Sequence, residues 1–238
     1  MKRKQVVWLS VIIAVCLIGV GAYLWFDRFV GNNVEIESVM APAGEPETGR
    51  AGEASAAANT AVSSDKLNGT WHIMSGSKVY WSVTTSKSTV NFVDEAVTGS
   101  WNVNLSDAAA MTGEGVVDLT ALDSGNSTRD QHVKERDDLL AVTQFPQATF
   151  TAKTFSTVPS EWSEGTAVPL TMTGTLTIRG QEKEVTFDSN AMYKDGHLLL
   201  SGKTKVTFAD FGMTNPNTVV LETENEFAVQ LELTLHKA

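Results

Sequence analysis

The chain has 238 residues, with 28 Asp plus Glu against 18 Lys plus Arg and a single cysteine. A formal charge of −10 repels phosphate backbones, which argues against nucleic acid as a partner. One cysteine excludes both an internal disulfide and a thiolate metal cluster.

The first element in chain order is Val6–Phe26, VVWLSVIIAVCLIGVGAYLWF, uncharged and with Ser10 as its one strongly polar residue. That is close to the ~20 residues a helix needs to cross a bilayer. Lys2, Arg3 and Lys4 precede it, so the positive-inside rule keeps the N-terminus cytoplasmic and sends the chain beyond Asp27 across. Residues 1–30 therefore predict a cytoplasmic tip and a transmembrane signal anchor. The cell membrane becomes a partner through this helix, and the C-terminal part is extracytoplasmic, either periplasmic or extracellular. Two alternatives stay open: a cleavable signal peptide ending near Val20-Gly21-Ala22, and a lipoprotein reading that acylates Cys16. Both change the attachment and leave the side of the membrane unchanged.

Residues 31–66 are rich in Ala, Gly, Glu and Ser, contain Pro42 and Pro46, and show no sustained periodicity. Such a stretch buries too little to offset its ordering entropy and predicts a flexible linker, with a reach of about 30 Å at ~5–6 Å × √n.

Residues 67–238 predict one β-domain with no disulfide to staple it. It carries most of the acidity, 21 Asp plus Glu against 12 Lys plus Arg. Lys78–Val83 alternates with Val79, Trp81 and Val83 on one face, and Gly99–Leu105 alternates with Trp101, Val103 and Leu105. Further strands are expected at Ser88–Val93, Gly113–Leu122, Ala148–Thr157, Val168–Arg179, Glu182–Met192, His197–Phe208 and Glu224–His236. Arg179-Gly180-Gln181 and Lys194-Asp195-Gly196 read as hairpin turns. Eight or nine antiparallel strands in sequence make a closed barrel or a sandwich. One interruption, Ser127–Leu140, has a candidate N-cap at Asn126 or Ser127 and Asp130 in its first turn. It reads as a helix covering a barrel mouth.

Five motifs in this region, taken in order, resemble the YceI-like domain family. They are Ser77–Val83; Leu122-Asp123-Ser124-Gly125-Asn126-Ser127-Thr128-Arg129-Asp130-Gln131-His132; Phe145–Phe150; Gly174-Thr175-Leu176-Thr177-Ile178-Arg179-Gly180; and Ala209-Asp210-Phe211-Gly212-Met213. The resemblance implies a lipocalin-like antiparallel β-barrel of about eight strands with one capping α-helix. It also implies a long apolar ligand, a polyisoprenoid or isoprenoid quinone, held in the barrel. Three departures stand out: Phe208 occupies the place where members of the family commonly carry an arginine, Asp137-Asp138-Leu139-Leu140 lacks the aromatic that commonly follows the first Asp, and the N-terminal anchor and linker lie outside the resemblance, many members being secreted with a cleaved signal. If that arginine serves a ligand, Phe208 favours a less charged headgroup; if it serves an ion pair, no functional difference results.

On these strand phases the expected lumen residues are Val79, Trp81, Val83, Phe92, Trp101, Val103, Phe150, Leu176, Ile178, Phe187, Phe208 and Val229. The expected headgroup or lid residues are Arg129, Asp130, His132 and Asp210. No catalytic motif and no metal-ligand spacing occurs, so the expectation is a binding protein without enzyme activity, cofactor or metal. Self-association into a homodimer stays open. The competing reading is a non-catalytic interaction or stress-response module with a solid core, for which Tyr80, Trp162 and the acidic stretch Glu222-Glu224-Glu226 are the surface candidates.

Overall fold

The computed structural model describes residues 31–40, 60–217 and 221–238. The span Val6–Phe26, its Cys16 and the middle of the expected linker lie outside these residues. Among the described residues no helix is long and apolar enough to cross a membrane.

In chain order the elements are β1 (Ala61–Val62), α1 (Ser64–Leu67), β2 (Gly69–Ile73), β3 (Lys78–Thr85), β4 (Thr89–Asp94), β5 (Val97–Val103), β6 (Thr112–Asp118), α2 (Ser127–Glu135), β7 (Gln147–Phe155), β8 (Trp162–Ser163), β9 (Val168–Ile178), β10 (Gln181–Lys194), β11 (His197–Thr207) and β12 (Thr223–Lys237). Ten strands form one antiparallel sheet in the order β11-β10-β9-β7-β6-β5-β2-β12-β3-β4, and pairing of β11 with β12 closes it.

The barrel has eight staves because two of them are broken strands. β2 and β3 lie on the same edge of β12, Trp71–Ile73 against Leu235–Lys237 and Lys78–Thr85 against Glu232 back to Thr223. Their partners β5 and β4 form the next stave in the same way. β1 pairs with β8 outside the barrel sheet.

Arg179 and Gly180 both have positive φ between the paired residues Ile178 and Gln181, and Asp195 and Gly196 do the same between Lys194 and His197. These are the two-residue turns whose twist matches a β-hairpin, as the sequence predicts. The alternation also places Val79, Trp81 and Val83 inward, opposite Leu231, Val229 and Phe227 of β12.

Most strand ends shift by one or two residues, and three larger differences from expectation stand out. The strand expected to run to Leu122 ends at Asp118, whose carboxylate caps a 3-10 turn at Leu119–Ala121 by accepting from the Thr120 N–H at 3.0 Å. The helix ends at Glu135 rather than Leu140, because Arg136 leaves helical geometry and the carbonyls beyond it are bonded by other parts of the fold. β2 has no counterpart among the expected strands, being only five residues long and opening on a glycine.

Residues 31–40, which the composition assigns to the linker, run extended along the outside of the barrel and are hydrogen-bonded to it. The Glu37 N–H donates to Tyr80 Oη at 3.1 Å, and the Val39 N–H donates to Glu232 Oε2 at 3.0 Å. Asn91 donates its N–H to Asn32 Oδ1 and its Nδ2 to Val34 O, both at 2.9 Å. This strap covers an outward-facing polar row. Tyr80 and Glu232 are each 1% exposed although both point away from the lumen.

Candidate functional site: the barrel lumen

The inward phase of the staves is mostly apolar, as suits a barrel interior, with Asp94, Ser189 and Thr204 as buried polar exceptions. Eleven of the twelve expected lumen residues are buried in the common core, and Val83 packs against it half-buried. Inside lie two small cavities. The first, of about 30 Å³, sits toward the end where β6 runs on to α2 and is lined by Val79, Trp81, Val97, Trp101, Val117, Phe150, Leu176, Phe187 and Val229 among others. The second, of about 40 Å³, sits toward the β1–β8 end and is lined by Leu67, Trp101, Val103, Met111, Met172, Leu198 and Leu235 among others. Phe92, Ile178, Phe208 and Val83 line neither.

Those four lie elsewhere in the packing. Phe208 meets Phe227 at 5.0 Å between ring centroids, and Phe227 also contacts Trp81 and Phe211. Phe208 is therefore one member of a cluster of aromatic rings with Phe211, Phe227 and Trp81. Phe92 lies under the Arg129 guanidinium, 5.8 Å from its carbon, a cation–π arrangement.

The four expected headgroup residues are engaged with the protein itself. Arg129 donates Nε to Ser124 Oγ at 2.8 Å, Nη2 to Ser124 O at 3.1 Å and Nη1 to Gly31 O at 2.9 Å. Asp130, buried, accepts from the Ser124 N–H and hydroxyl; burial pushes its carboxyl above the usual range, against the pull of those two bonds. Asp210 accepts from Lys183 Nζ at 2.6 Å and from the Thr207 N–H at 2.9 Å, and the lysine holds it below the usual range. His132 is exposed on the outer side of α2, with Nε2 3.0 Å from Arg136 Nη1. Arg129 and Asp130 tie the loop before α2 to its first turn through Ser124, and none of the four lines either cavity.

The α2 end is further tied by Arg179 at the β9–β10 turn. Its Nη1 donates to Gly212 O at 2.6 Å and its Nη2 to Asp137 O at 2.7 Å, so one side chain joins the hairpin, the loop after α2 and the loop before β12.

The polar groups on the inner wall are ones that the alternation pattern does not single out as such. Trp81 Nε1, Trp101 Nε1 and Asp94 Oδ2 are buried and have no hydrogen-bond partner among the described residues. Asp94 ends β4 on the inward phase, opposite Val79. It is 0% exposed, and burial pushes its carboxyl up to about 7, with the negative Asp118 adding to the rise; its other oxygen accepts from the Ala96 N–H at 3.0 Å. Trp71 is also absent from the expected lumen set. It faces Trp101 across the β2–β5 pairing, fully buried, with Nε1 donating to Leu67 O at 2.8 Å. The available signal is the repeated Trp at the inward phase of two neighbouring strands, obscured because β2 itself carries so little pattern. Of the surface candidates, Tyr80 lies beneath the strap and Trp162 is buried with its N–H on Pro159 O, so neither offers a free face. Glu222, Glu224 and Glu226 are exposed.

Residues 58–235 match the model of the YceI-like domain family. The chain belongs to that family. Solved structures agree on the fold. Burkholderia cenocepacia BcnA aligns with a TM-score of 0.57 at 18% identity, over 68% of this chain and 98% of that one. A polyisoprenoid binding domain from Saccharophagus degradans, implicated in plant cell wall breakdown, aligns with a TM-score of 0.54 at 12% identity, over 71% and 98%. The Campylobacter jejuni YceI protein aligns with a TM-score of 0.51 at 19% identity, over 63% and 86%. No curated protein sequence matches the chain. The strap at 31–40 lies outside the YceI-like match.

Proposed function

We propose that this YceI-like domain binds an isoprenoid-type amphiphile, a polyprenyl chain or isoprenoid quinone, in the barrel lumen, and that the N-terminal span tethers it to the cell membrane on the extracytoplasmic side. The observation that carries the reading is the pair of apolar cavities lying in line inside a closed barrel, walled by aromatic and aliphatic side chains. The polyisoprenoid-binding relative of the same fold supports the ligand class. Transfer of apolar surface from water is worth roughly 25 cal/mol per Å². A ligand burying a few hundred square ångströms is therefore held without any charged anchor, which suits a lumen whose nearby cation, Arg129, is committed to Ser124 and Gly31.

The cavities in this conformation are small. A void of about 150 Å³ admits benzene, so neither the 30 nor the 40 Å³ space holds an isoprenoid until side chains move. The ligand-bound barrel is an expanded state of this one. The same smallness favours a second reading, a binding-inert barrel acting as an envelope interaction module through its exposed acidic stretch Glu222-Glu224-Glu226.

Native mass spectrometry of the full-length chain, released from detergent after purification from its own host, separates the two. A stoichiometric co-purifying isoprenoid is the expected result. An apo mass that stays unshifted with added prenols, quinones and polyprenyl phosphates would overturn the lipid reading in favour of the interaction module.

A further inference from the structure

We infer that Trp101 is a movable partition that sets how long an isoprenoid chain the lumen accepts. The inference rests on the lipid-binding reading and specifies it. Trp101 is the one residue that lines both cavities: the wall on one side includes Val97 and Val117, and on the other Met111 and Leu198. With the indole in place the two spaces are separate; with it turned aside they become one slot along the barrel. From Val97 to Val103, β5 alone covers roughly 20 Å of strand, so the joined slot runs much of the barrel's length.

The ring occupies room that two glycines make for it. A Cβ added at Gly113 would lie 2.5 Å from Trp101 Nε1, and one added at Gly115 would lie 3.6 Å from Cη2. Both glycines are on the inward phase of β6, so the indole lies lengthwise over a stave that carries no side chain there.

Nothing polar holds it in that position. Trp101 is 4% exposed, and its N–H has no acceptor among the described residues. Native interiors satisfy the great majority of such groups. Its neighbour across the strand pair shows the contrast: Trp71 donates to Leu67 O and is fixed, as Trp162 is fixed by Pro159 O. An unpartnered N–H at the junction of two apolar voids gains a bond when the oxygen of an amphiphile comes within reach, and loses none when the ring turns. The partition is therefore positioned to yield to a ligand, whereas Trp71 and Trp162 are not.

The test uses the full-length chain in detergent and a series of all-trans prenols, geraniol, farnesol, geranylgeraniol and solanesol, in competition by native mass spectrometry. Trp101→Ala should shift the preference for geranylgeraniol and solanesol over geraniol by tenfold or more, Trp101→Phe by less, and the control Tyr80→Phe, on the outer wall beneath the strap, not at all. Should Trp101→Ala fold poorly, the wild-type chain carrying 5-fluorotryptophan gives a second readout. The Trp101 fluorine resonance, assigned through Trp101→Phe, should move with the long prenols and not with geraniol. A chain-length profile unchanged in both Trp101 variants, or a fluorine signal indifferent to chain length while prenols bind, would overturn the partition and leave lipid binding standing. Failure of every prenol to bind the wild type would instead remove the lipid reading and this inference with it.

Discussion

Asp94 offers the sharpest test of the packing logic, because a carboxyl with no exposed surface at the end of a lumen-facing phase should make the fold sensitive to pH in an unusual direction. Most carboxyls with native partners stabilise a protein as pH rises. Asp94 does the opposite: burial raises its folded-state pKa to about 7 from an ordinary value of 3.8. The folded chain thus holds a proton that the unfolded chain releases, and its stability falls as pH climbs between the two values. The contribution is fully present below about pH 4, is lost through the interval and is constant above about pH 7. A displacement of about three units at 1.36 kcal/mol per unit amounts to ~4 kcal/mol. That rise is already net of the Ala96 hydrogen bond and Lys134, which pull the value down, and of Asp118 and Glu95, which add to burial.

The perturbation is Asp94→Asn, which keeps the shape and the acceptor for the Ala96 N–H but cannot ionise. Urea denaturation of the full-length chain, monitored by tryptophan fluorescence from pH 4.5 to 8, gives the difference between variant and wild type. Taking that difference cancels the other titrating groups. The two should agree within about 1 kcal/mol at pH 4.5, with the Asn variant the more stable by roughly 2–4 kcal/mol at pH 8. A difference that does not vary with pH would refute the reasoning and mean that the Asp94 carboxylate is solvated or paired.

Two further outcomes depend on single contacts. Gly113→Ala places a methyl 2.5–2.8 Å from three atoms of the Trp101 indole; overpacking of that kind costs about 1–3 kcal/mol, and a thermal melt should show the loss largely relieved in the double variant with Trp101→Phe. Arg179→Gly suits the positive φ of the turn, so the effect belongs to the contacts it releases, the Gly212 and Asp137 carbonyls and the Phe145 ring; amide exchange across residues 136–146 should accelerate while the barrel strands stay protected.

Alternation and turn chemistry make the barrel legible, since Val79-Trp81-Val83 and the Arg179-Gly180 and Asp195-Gly196 turns are local features that the fold keeps. Contacts made at a distance are not legible. The helix stops at Glu135 because Asp137 and Asp138 carbonyls are taken by Arg179 and Thr214, residues far along the chain. Asp94 escapes a sequence reading because a strand pattern ends naturally before a charge, and only the pairing with Val79 shows the phase continuing inward. Arg129, Asp130 and His132 form a conspicuous polar motif, yet sequence cannot say whether such groups face a ligand or each other. Here Arg129 and Asp130 converge on Ser124, and neither reaches a cavity wall.

The strap is the least legible element and the one with the widest reach. Many of its bonds run between its own backbone and side chains of the outer wall, with Asn32 Oδ1 and Glu37 Oε2 as side-chain contributors, so its sequence carries little pattern. What specifies it is the wall: Glu232, buried where an exposed residue would be expected, accepts from the Val39 N–H on one oxygen and from Ser201 Oγ and Gln230 Nε2, both at 2.7 Å, on the other. The strap also meets the capping loop. Gly31 O takes a hydrogen bond from Arg129, and a Cβ at Gly125 would come within 2.8 Å of the Asn33 side chain. Polar bonds exchanged against water contribute only about 0.5–1.5 kcal/mol each, and ordering ten residues opposes them, so the strap is held with little to spare. Glu232→Ala should therefore release it while costing the barrel at most about 1–3 kcal/mol. Hydrogen exchange over 31–40 would rise first, and then that of residues 123–130, which lose the Arg129 link. If the strap detached and 123–130 kept their protection, the two would be neighbours only. If exchange rises in both, whatever pulls on the chain ahead of Gly31 acts on the loop that leads into α2.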